Sequence, residues 1–402
     1  MTDLVDLVAA MPGAPGPRRI LVLGDPAARV CGALAAAGHR VTCCPDRQQA
    51  VGARHVDVAY ETVADLIDDS AATFDVAIAV EGWRRLRWTN GATTTATLVE
   101  WLRAHVETLA VEAPRRILAP DLNDLGPFEV LPMLGDYAFL AEVTGHGAGD
   151  GRSTPIVLAS DRALLAGGTW FAAQDVRRLG ADAPDAATTP VRTYAVPGPL
   201  IVKVECTSED YFERAQVAGE AAYLSTADAD TRQRLDLPLV RAFVRGRAVA
   251  TLVRDEVPAG PPPASIGAQM AGVLDAAAAH AELGLFHNDV RPWNVVWLGE
   301  IARLIDYADV STADDDVRDL PQVLALAGTL AAIATEEIRG GQDFHGDVLD
   351  LAEEAGLLDA WPLSEQLTGP WLRLPRRRSD VRVHGGMSAT QIIRTVLEVT
   401  CA

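Results

Sequence analysis

The sequence LGLFHNDVRPWNVVWLGEIARLIDYADV, residues 283–310, decides the fold of the second half of the chain. In it, short apolar runs typical of buried strands alternate with a histidine, asparagines and aspartates. The segment from His287 to Asn294 fits H-x-D-x-x-x-x-N, the spacing of the catalytic loop of protein kinases. A strand ending in Asp306-Tyr307-Ala308 follows, where such kinases have D-F-G. This pattern predicts a protein-kinase-like fold.

The polar residues of this stretch match the needs of phosphoryl transfer. That reaction needs a carboxylate near the attacking hydroxyl and hard oxygen ligands for Mg²⁺ at the triphosphate. We predict that Asp289 accepts or orients the acceptor proton, and that Asn294 and Asp306 hold the magnesium ion. His287 is predicted to brace the loop. Arg291 is predicted to contact phosphate, because it stands where protein kinases usually have a lysine.

Upstream residues complete the predicted nucleotide site. Lys203 lies inside the apolar strand PLIVKVE (199–205), where an unpaired ammonium group would be costly to bury. Glu220, in the helix that follows, is its predicted partner. Gly198 is the single glycine of TYAVPGPLI (193–201), where a kinase has two or three glycines over the ATP phosphates. The predicted cofactors are therefore ATP and Mg²⁺.

A purely structural interpretation of the same residues stays open. Asp289 and Asn294 could form a turn, and Asp306 could cap the end of a strand. Lys203 could lie at an exposed sheet edge, where lysines are common. The loop spacing alone is weak evidence. The order lysine, glutamate, H-x-D, asparagine, aspartate along one chain favours the kinase interpretation.

The composition excludes several classes of partner. The 402 residues include 55 acidic and 35 basic ones, and the net charge of −20 argues against binding to nucleic acid or to an anionic membrane. The first residues do not resemble a secretory signal, and no apolar run is long enough to cross a bilayer. We therefore predict a cytoplasmic protein without an integral membrane segment. Its five cysteines include no CxxC pair and are predicted to be reduced thiols.

The first half of the chain predicts an α/β domain, because strand-like apolar runs alternate with helical segments. A helix is predicted over Thr93–Val111. The strand-like runs are RRILVLG (18–24), RVTCCPD (40–46), FDVAIAV (74–80), RRILAPD (115–121) and STPIVLASD (153–161).

In the second half, two antiparallel strands around a turn at 245–247 precede a long helix that leads into the loop. Residues 180–198 are rich in Ala, Asp, Thr and Pro and predict the connection between two domains. The fold class is α/β plus α+β. A Rossmann-like domain is predicted at 1–180 and a bilobal protein-kinase-like domain at 190–402.

FHNDVRPWNVVW (286–297), together with ARLIDYADV (302–310), resembles the kinase half of the bifunctional kinase–methyltransferase family that caps bacterial O-antigen polysaccharides. GDYAFLAEVTGHGAGDGRSTPIVLASD (135–161) is similar to the end of that family's methyltransferase domain. The resemblance covers most of the chain and implies that the Rossmann-like domain is of methyltransferase type. It also implies transfer of the ATP γ-phosphate to a sugar hydroxyl.

The methyl-donor site departs from the pattern of that family. The family has D-L-G-x-G-x-G after the first strand, whereas VLGDPAA (22–28) keeps only Gly24. Pro26 lacks an N–H donor, and Ala28 adds a side chain where the cofactor must approach the backbone. Asp46 could still bind the ribose hydroxyls. We expect the binding of S-adenosylmethionine to be lost or weak, so that this domain packs or recognises substrate.

The leading hypothesis is an ATP- and Mg²⁺-dependent phosphotransferase with a hydroxyl acceptor on a sugar, glycoconjugate, natural product or peptide. A second hypothesis is a bifunctional enzyme that also methylates. A third, suggested by the single glycine and by Ala308, is a nucleotide-binding pseudokinase partner protein. Asp319 and the basic cluster RLPRRRSD (373–380) each have a functional and a solvated-surface interpretation. The sequence does not predict the acceptor or the oligomeric state.

Overall fold

The computed structural model describes residues 4–13, 16–24, 27–44, 56–79, 83–112, 134, 137–146, 153–180, 191–206, 216–246, 248–312, 325–326, 329–330 and 332–333. By packing, the chain divides into two compact units. The first comprises Met1–Leu179, Pro190–Val217 and Arg241–Arg254, and the second comprises Gly180–Thr189, Ala218–Val240 and Asp255–Ala402. The domain boundary between residues 180 and 190 stays a prediction, because compact units and domains need not coincide.

A seven-stranded sheet is the centre of the first unit. Its strands are β1 (Arg19–Leu23), β2 (Arg40–Cys44), β3 (Val56–Ala59), β4 (Phe74–Ala79), β5 (Val106–Glu112), β6 (Phe139–His146) and β7 (Ser153–Ser160). Their order is β3-β2-β1-β4-β5-β7-β6. The first five strands pair in parallel, and β7 runs antiparallel to β5 and β6. The structure thus confirms the mixed α/β content predicted for this half.

The described helices of this half are α1 (Leu4–Ala9), α2 (Ala27–Ala36), α3 (Val63–Asp68) and α4 (Trp83–His105). Gly38 follows the end of α2, and its φ of +91° favours glycine. A capping box begins α3: the N–H of Asp65 donates to Thr62 Oγ1 at 3.1 Å, and the N–H of Thr62 donates to the Asp65 carboxylate at 2.8 Å. The predicted strand at 115–121 lies outside the described residues.

The end of α4 corrects one prediction. The helix predicted over Thr93–Val111 ends at His105, and the chain continues directly as β5. The residues of β5 pair with β4 on one side and β7 on the other, and Val106 is 5% exposed. β-branched residues favour such a central strand. No glycine or proline separates the helix from the strand, so the usual helix-stop signal is missing.

Alternate residues of the central strands face opposite sides of the sheet. In β1, Ile20 and Val22 belong to one apolar cluster, and Leu21 and Leu23 belong to another. All four side chains are at most 3% exposed. A strand that is buried on both faces shows a continuous apolar run rather than alternation. This burial explains why the run at 18–24 predicts its strand correctly.

Two cysteines of the first unit correct a further prediction. Cys31 in α2 and Cys43 in β2 form a disulfide, so the expectation of reduced thiols is wrong for this pair. Packing of a helix on the next strand brings together cysteines that are 12 residues apart, and a search for closely spaced pairs does not detect them. Cys44 and Cys206 are free thiols, and Cys401 lies outside the described residues.

A short hairpin and a five-stranded sheet follow in the first unit. The hairpin strands are β8 (Ala163–Ala166) and β9 (Thr169–Ala172), and the sheet strands are β10 (Arg177–Leu179), β11 (Val191–Val196), β12 (Leu200–Cys206), β13 (Val240–Arg245) and β14 (Val249–Asp255). The sheet order is β10-β11-β12-β14-β13. β12 to β14 agree with the prediction. β11 corrects the connection predicted over 180–198, because it pairs along its whole length with β12.

The second unit contains residues 283–310, the segment with the kinase-like spacing. Its described helices are α5 (Gln216–Thr226, from Ala218 onward), α6 (Ala229–Leu235) and α7 (Ile266–Ala281). Two antiparallel strand pairs follow: β15 (Leu285–His287) with β18 (Val310–Thr312), and β16 (Val295–Leu298) with β17 (Ile301–Leu304). Across the described residues of both units, every helix is too short or too polar to span a membrane.

Candidate active site

The predicted catalytic loop connects β15 to β16. It turns at Asp289 and then forms a short 3-10 helix, Pro292–Asn294. The N–H of Arg291 donates to the Asp289 carbonyl at 2.9 Å, and the N–H of Asn294 donates to the Arg291 carbonyl at 2.9 Å. Proline suits the first position of this helix, because its N–H is not needed there. The backbone of the loop is therefore fixed by local bonds.

Asp289 and Asn294 are in direct side-chain contact. Asn294 Nδ2 donates to the Asp289 carboxylate Oδ2 at 2.8 Å and to the Asp289 carbonyl at 2.9 Å. Both bonds use the amide nitrogen, so the amide oxygen of Asn294 is the atom that can bind a cation. Asn294 is 5% exposed, and this orientation is therefore held inside the protein. The arrangement fits the predicted role of Asn294 as a Mg²⁺ ligand.

The carboxylate of Asp289 has an unusual proton affinity. Burial raises the pKa of Asp289 to about 6; Arg291 and the hydrogen bond from Asn294 oppose this shift, and Asp306 and Asp309 add to it. The Asp289 side chain is 15% exposed. At neutral pH the group is mostly ionised, yet it is a stronger base than an ordinary aspartate. Asp289 can therefore accept a proton from a hydroxyl group.

The guanidinium of Arg291 lies beside this carboxylate. Arg291 Nε forms an ion pair with Asp289 Oδ1. The same guanidinium lies 5.6 Å from the centroid of the Trp293 ring, within the range of a cation–π contact. The two contacts place a fixed positive charge at the loop. That Arg291 contacts a transferred phosphate stays a prediction.

His287 joins the loop to the strand that leads to Asp306. Its Nε2 donates to the carbonyl of Ile305 at 3.1 Å, and its ring contacts Tyr307 edge-on with centroids 5.7 Å apart. The side chain is fully buried. Burial, together with a smaller effect of nearby His280, lowers the pKa of His287 to about 3. The imidazole is therefore neutral, and its bond to a carbonyl requires the proton on Nε2.

The lowered pKa of His287 makes stability sensitive to acid. The unfolded chain binds a proton at this residue near pH 6.5, and the folded chain binds it only near pH 3. Its contribution to stability is therefore complete above pH 6.5 and is lost as the pH falls from 6.5 toward 3. We expect His287 to account for about 2 kcal/mol of lost unfolding free energy at pH 5.

Denaturant unfolding at pH 7.5 and pH 5 of the wild type and of His287→Gln measures this contribution. The glutamine amide can still donate to Ile305 but does not titrate. The loss between the two pH values should be about 2 kcal/mol smaller in the variant. Equal losses in the two proteins would show that His287 does not control acid sensitivity.

Asp306 has a backbone conformation that is uncommon for its residue type. Its φ is +69° and its ψ is +70°, and in the described part of the chain it shares a positive φ with only one other non-glycine residue, Asp236. Such strained positions are often found at functional sites, and aspartate tolerates them better than most residues. Because Asp306 raises the pKa of Asp289, the two carboxylates lie close enough to interact.

The predicted magnesium ligands are one amide and one carboxylate, those of Asn294 and Asp306. Among the residues that the structure describes, no group of three or more His, Cys, Asp or Glu side chains could hold a metal. Magnesium is typically bound by one or two carboxylates together with substrate phosphates and water. The amide oxygen of Asn294 and the carboxylate of Asp306 fit that partial ligand set.

The upstream residues have the following places in the structure. Lys203 lies in β12 opposite Thr193 of β11 and is 5% exposed. Glu220 lies in α5 and is 0% exposed. Lys203 belongs to the first unit and Glu220 to the second, so their pairing stays a prediction. Gly198 lies in the turn between β11 and β12 with φ +91°, a conformation that favours glycine whether or not a nucleotide binds.

Glu205 is a buried polar residue that the sequence analysis missed. It follows Lys203 by two positions in β12, and it is 0% exposed. Its carboxylate accepts the N–H groups of Gln216 at 3.1 Å and Val217 at 2.9 Å, the first two residues of α5. Burial raises the pKa of Glu205. An acidic residue two positions after the lysine, within the same apolar strand, is the sequence signal that could have identified it.

Removing this helix cap should destabilise the protein. Glu205→Ala leaves two N–H groups at the start of α5 without their acceptor, and we expect a loss of about 1–3 kcal/mol in unfolding free energy. Urea unfolding measures the change. Glu282→Ala is a control, because Glu282 forms an ion pair with Arg234 whose side chains are 67% and 42% exposed. That pair should contribute less than about 1 kcal/mol, and equal effects of the two substitutions would contradict the prediction.

Helix α5 packs closely on the segment after Asp306. A Cβ at Gly219 would lie 2.9 Å from the Ala308 carbonyl oxygen, so only glycine fits without a shift. One turn later, the ring of Tyr223 stacks on Tyr307 with centroids 5.6 Å apart. The helix that carries Glu220 is thus seated directly on the backbone next to the candidate metal ligand.

Gly219→Ala should destabilise the protein, although alanine normally favours a helix. The methyl group would displace α5 from Ala308, at a cost of about 1–3 kcal/mol in unfolding free energy. Gly267→Ala in α7 is the matched control, because in the described part of the chain its Cβ would meet only Ser265 Oγ, at 3.7 Å. Thermal and urea unfolding compare the two. The prediction is wrong if Gly219→Ala is as stable as the wild type.

Only part of the candidate methyl-donor site is described. Gly24 follows β1 with φ +97°, and its N–H donates to the Cys44 carbonyl at 3.1 Å. Pro26, Asp46, Asp319 and the cluster at 373–380 lie outside the described residues, and so does the side chain of Ala28. The loss or weakening of S-adenosylmethionine binding therefore stays a prediction.

Comparisons with known proteins find similarity in structure. The sequence matches no protein-family model, and no curated protein is significantly similar to it. The crystal structure of monomeric WbdD matches 74% of this chain and 76% of its own, with a TM-score of 0.50 and 19% identity. A low-resolution WbdD structure with an ordered C-terminal bundle matches 79% of this chain and 69% of its own, with a TM-score of 0.53 and 19% identity.

A further structure, of the bifunctional kinase-methyltransferase WbdD, matches 96% of this chain and 84% of its own, with a TM-score of 0.50 and 16% identity. These structures confirm, at the level of the fold, the resemblance seen in the catalytic-loop and strand motifs. At 16–19% identity the shared property is the fold, so the activity must be argued from the site residues.

Proposed function

We propose that the chain is a kinase that transfers the γ-phosphate of ATP to a hydroxyl group in the presence of Mg²⁺. The observation that carries this proposal is the contact between Asp289 and Asn294, which joins a proton acceptor to an amide oxygen that can bind a cation. Asp306 lies near enough to raise the pKa of Asp289. The fold shared with kinase-methyltransferase structures supports the proposal.

Each residue has a separate part in the proposed reaction. The acceptor hydroxyl gives its proton to Asp289 while its oxygen attacks the γ-phosphorus, and ADP leaves with the electrons of the broken P–O bond. Asn294 and Asp306 would hold Mg²⁺, which neutralises phosphate charge when bound. Arg291 would move its charge from Asp289 toward the transferred group.

The upstream residues would bind the nucleotide. Lys203, paired with Glu220, would contact phosphate oxygens of ATP. The turn at Gly198 would bring backbone close to the phosphates. The proposed acceptor is a hydroxyl of a sugar, glycoconjugate, natural product or peptide, and the proposed location is the cytoplasm, where ATP is available.

The test is incubation of the full chain with γ-labelled ATP, with Mg²⁺ or with excess chelator. We expect slow release of labelled phosphate to water that requires Mg²⁺, and faster transfer when a panel of glycosides, alcohols and serine peptides includes an acceptor. Nucleotide binding without any turnover would favour a pseudokinase partner protein. Absence of both binding and turnover would contradict the proposed function.

A further inference from the structure

The two sheets of the first unit share one apolar core. Val202 and Val204 of β12 belong to the same cluster as Leu109 of β5 and Leu140 of β6, and all four are at most 1% exposed. Lys203 lies between these two valines. Successive side chains of a strand point to opposite faces, so packing of the valines directs Lys203 and Glu205 to the other face. The seven-stranded sheet therefore determines which way the lysine strand faces.

Polar contacts fix the position of the five-stranded sheet more specifically. Glu142 of β6 is 8% exposed, and its Oε2 accepts the N–H groups of Ala248 at 2.7 Å and Val249 at 3.1 Å. Val249 is the first residue of β14 and Ala248 directly precedes it; β14 is the neighbour of β12 in the sheet. A buried carboxylate with two backbone donors is a strong and directional contact.

Gly246 permits this approach. A Cβ at Gly246 would lie 2.5 Å from Glu142 Oε2 and 2.1 Å from the Val249 carbonyl oxygen. The missing side chain of Gly246 therefore leaves the space that the carboxylate occupies. Glu142 and Gly246 are more than one hundred positions apart in the sequence, and neither belongs to a kinase motif.

Strand β11 makes a second set of contacts, with Phe139 at the start of β6 and with the two residues that precede it. The Tyr194 hydroxyl donates to the Ala138 carbonyl at 2.7 Å, and Arg192 Nη1 donates to the Tyr137 carbonyl at 2.7 Å. The ring of Tyr194 also lies 5.5 Å from that of Phe139. The five-stranded sheet is thus bonded to the seven-stranded sheet at β14 and at β11, on both sides of β12.

We propose that the seven-stranded sheet is the scaffold that positions Lys203 for nucleotide binding, and that Glu142 is a positioning residue for this strand. This gives the first domain a function that does not depend on a methyl donor. The proposal rests on the proposed kinase function for its nucleotide part. Its structural part concerns only contacts within the first unit.

The test compares Glu142→Leu, which removes the acceptor, with Glu142→Gln, whose amide oxygen can still accept both N–H groups. Glu107→Leu is the matched control on the same sheet, because Glu107 forms an ion pair with Arg162 and its side chain is 44% exposed. Two quantities are measured on the full chain: hydrogen exchange of the peptide 200–206 without nucleotide, and the dissociation constant of Mg·ATP.

We expect Glu142→Leu to speed exchange in the peptide 200–206 and to weaken Mg·ATP binding about tenfold, because small displacements of a binding group cost much affinity. Glu142→Gln and Glu107→Leu should resemble the wild type in both measurements. Wild-type exchange and affinity in Glu142→Leu would overturn the proposal. A uniform loss of stability in Glu142→Leu, without selective exchange in 200–206, would also overturn it.

Tyr194→Phe keeps the test decisive if Glu142→Leu does not fold. This variant removes only the hydroxyl that donates to Ala138, and it should change exchange and affinity in the same direction by about threefold. No change in either quantity would overturn the proposal. If the wild type does not bind Mg·ATP, the kinase function fails, and the exchange measurement alone decides whether the scaffold exists.

Discussion

Replacing Asp289 with asparagine should reduce phosphoryl transfer by about 10²–10⁴-fold, because the loop loses its proton acceptor. The substitution keeps the size of the side chain, and Asn294 can still donate to the new amide oxygen as it does to the carboxylate. The affinity for Mg·ATP should therefore stay near that of the wild type. Single-turnover transfer of labelled phosphate measures the rate, and calorimetric titration measures the affinity.

Asp309→Asn is the matched control for this experiment. Asp309 raises the pKa of Asp289 but lies outside the catalytic-loop pattern. Loss of the Asp309 charge should leave the rate of phosphoryl transfer within about threefold of the wild-type rate. A transfer rate in Asp289→Asn equal to that of Asp309→Asn would show that Asp289 is not the proton acceptor.

Gly246→Ala should have the largest effect on stability, about 3 kcal/mol of unfolding free energy. Its Cβ would lie 2.1 Å from the Val249 carbonyl oxygen, and that oxygen belongs to the backbone at the start of β14. The backbone cannot move away without breaking the bonds from Ala248 and Val249 to Glu142. Urea unfolding measures this loss of unfolding free energy, and the dependence of the free energy on urea concentration should be the same as in the wild type.

Gly32→Ala in α2 provides the control within the same unit. Among the described residues, no heavy atom beyond the adjacent backbone of α2 would lie within 4 Å of its Cβ, so the substitution should stabilise the protein by up to about 1 kcal/mol. Opposite signs for the two glycine substitutions are expected. A Gly246→Ala protein with wild-type stability would mean that the turn does not approach Glu142 as closely as the structure shows.

The catalytic loop could be predicted from the sequence because its parts are local. His287, Asp289 and Asn294 lie within eight residues, and the bonds that close the turn join residues two to five positions apart. The spacing of these residues along the chain therefore predicts most of the geometry of the loop. Four strands of the seven-stranded sheet, β1, β2, β4 and β7, could be predicted in the same way, since burial gives continuous apolar runs such as RRILVLG.

Other features depend on partners that no local pattern reveals. Glu142 contacts residues more than one hundred positions away, and Cys31 meets Cys43 only because α2 packs on the sheet. β5 lacks a stop signal after α4, so tertiary pairing decides where the helix ends. Val191–Val196 forms a strand despite the turn-forming residues around it, because β12 supplies a complete pairing edge. Tertiary contacts outweigh local preference in each of these cases.

The sequence and the structure give complementary information on the function of the first domain. Of the glycine pattern that the resembled family has after its first strand, the sequence keeps only Gly24. The structure shows that the same domain shares its core with the strand of Lys203. The proposed scaffold function of this domain does not depend on whether it binds a methyl donor.

Calorimetric titration of the full chain with a non-hydrolysable ATP analogue, with and without Mg²⁺, tests the central claim most directly when wild type and Asp306→Asn are compared. The wild type should bind more tightly with Mg²⁺, and Asp306→Asn should lose about tenfold in affinity with Mg²⁺ but little without it. A wild type that does not bind, or an Asp306→Asn protein that binds as tightly with Mg²⁺ as the wild type, would contradict the account.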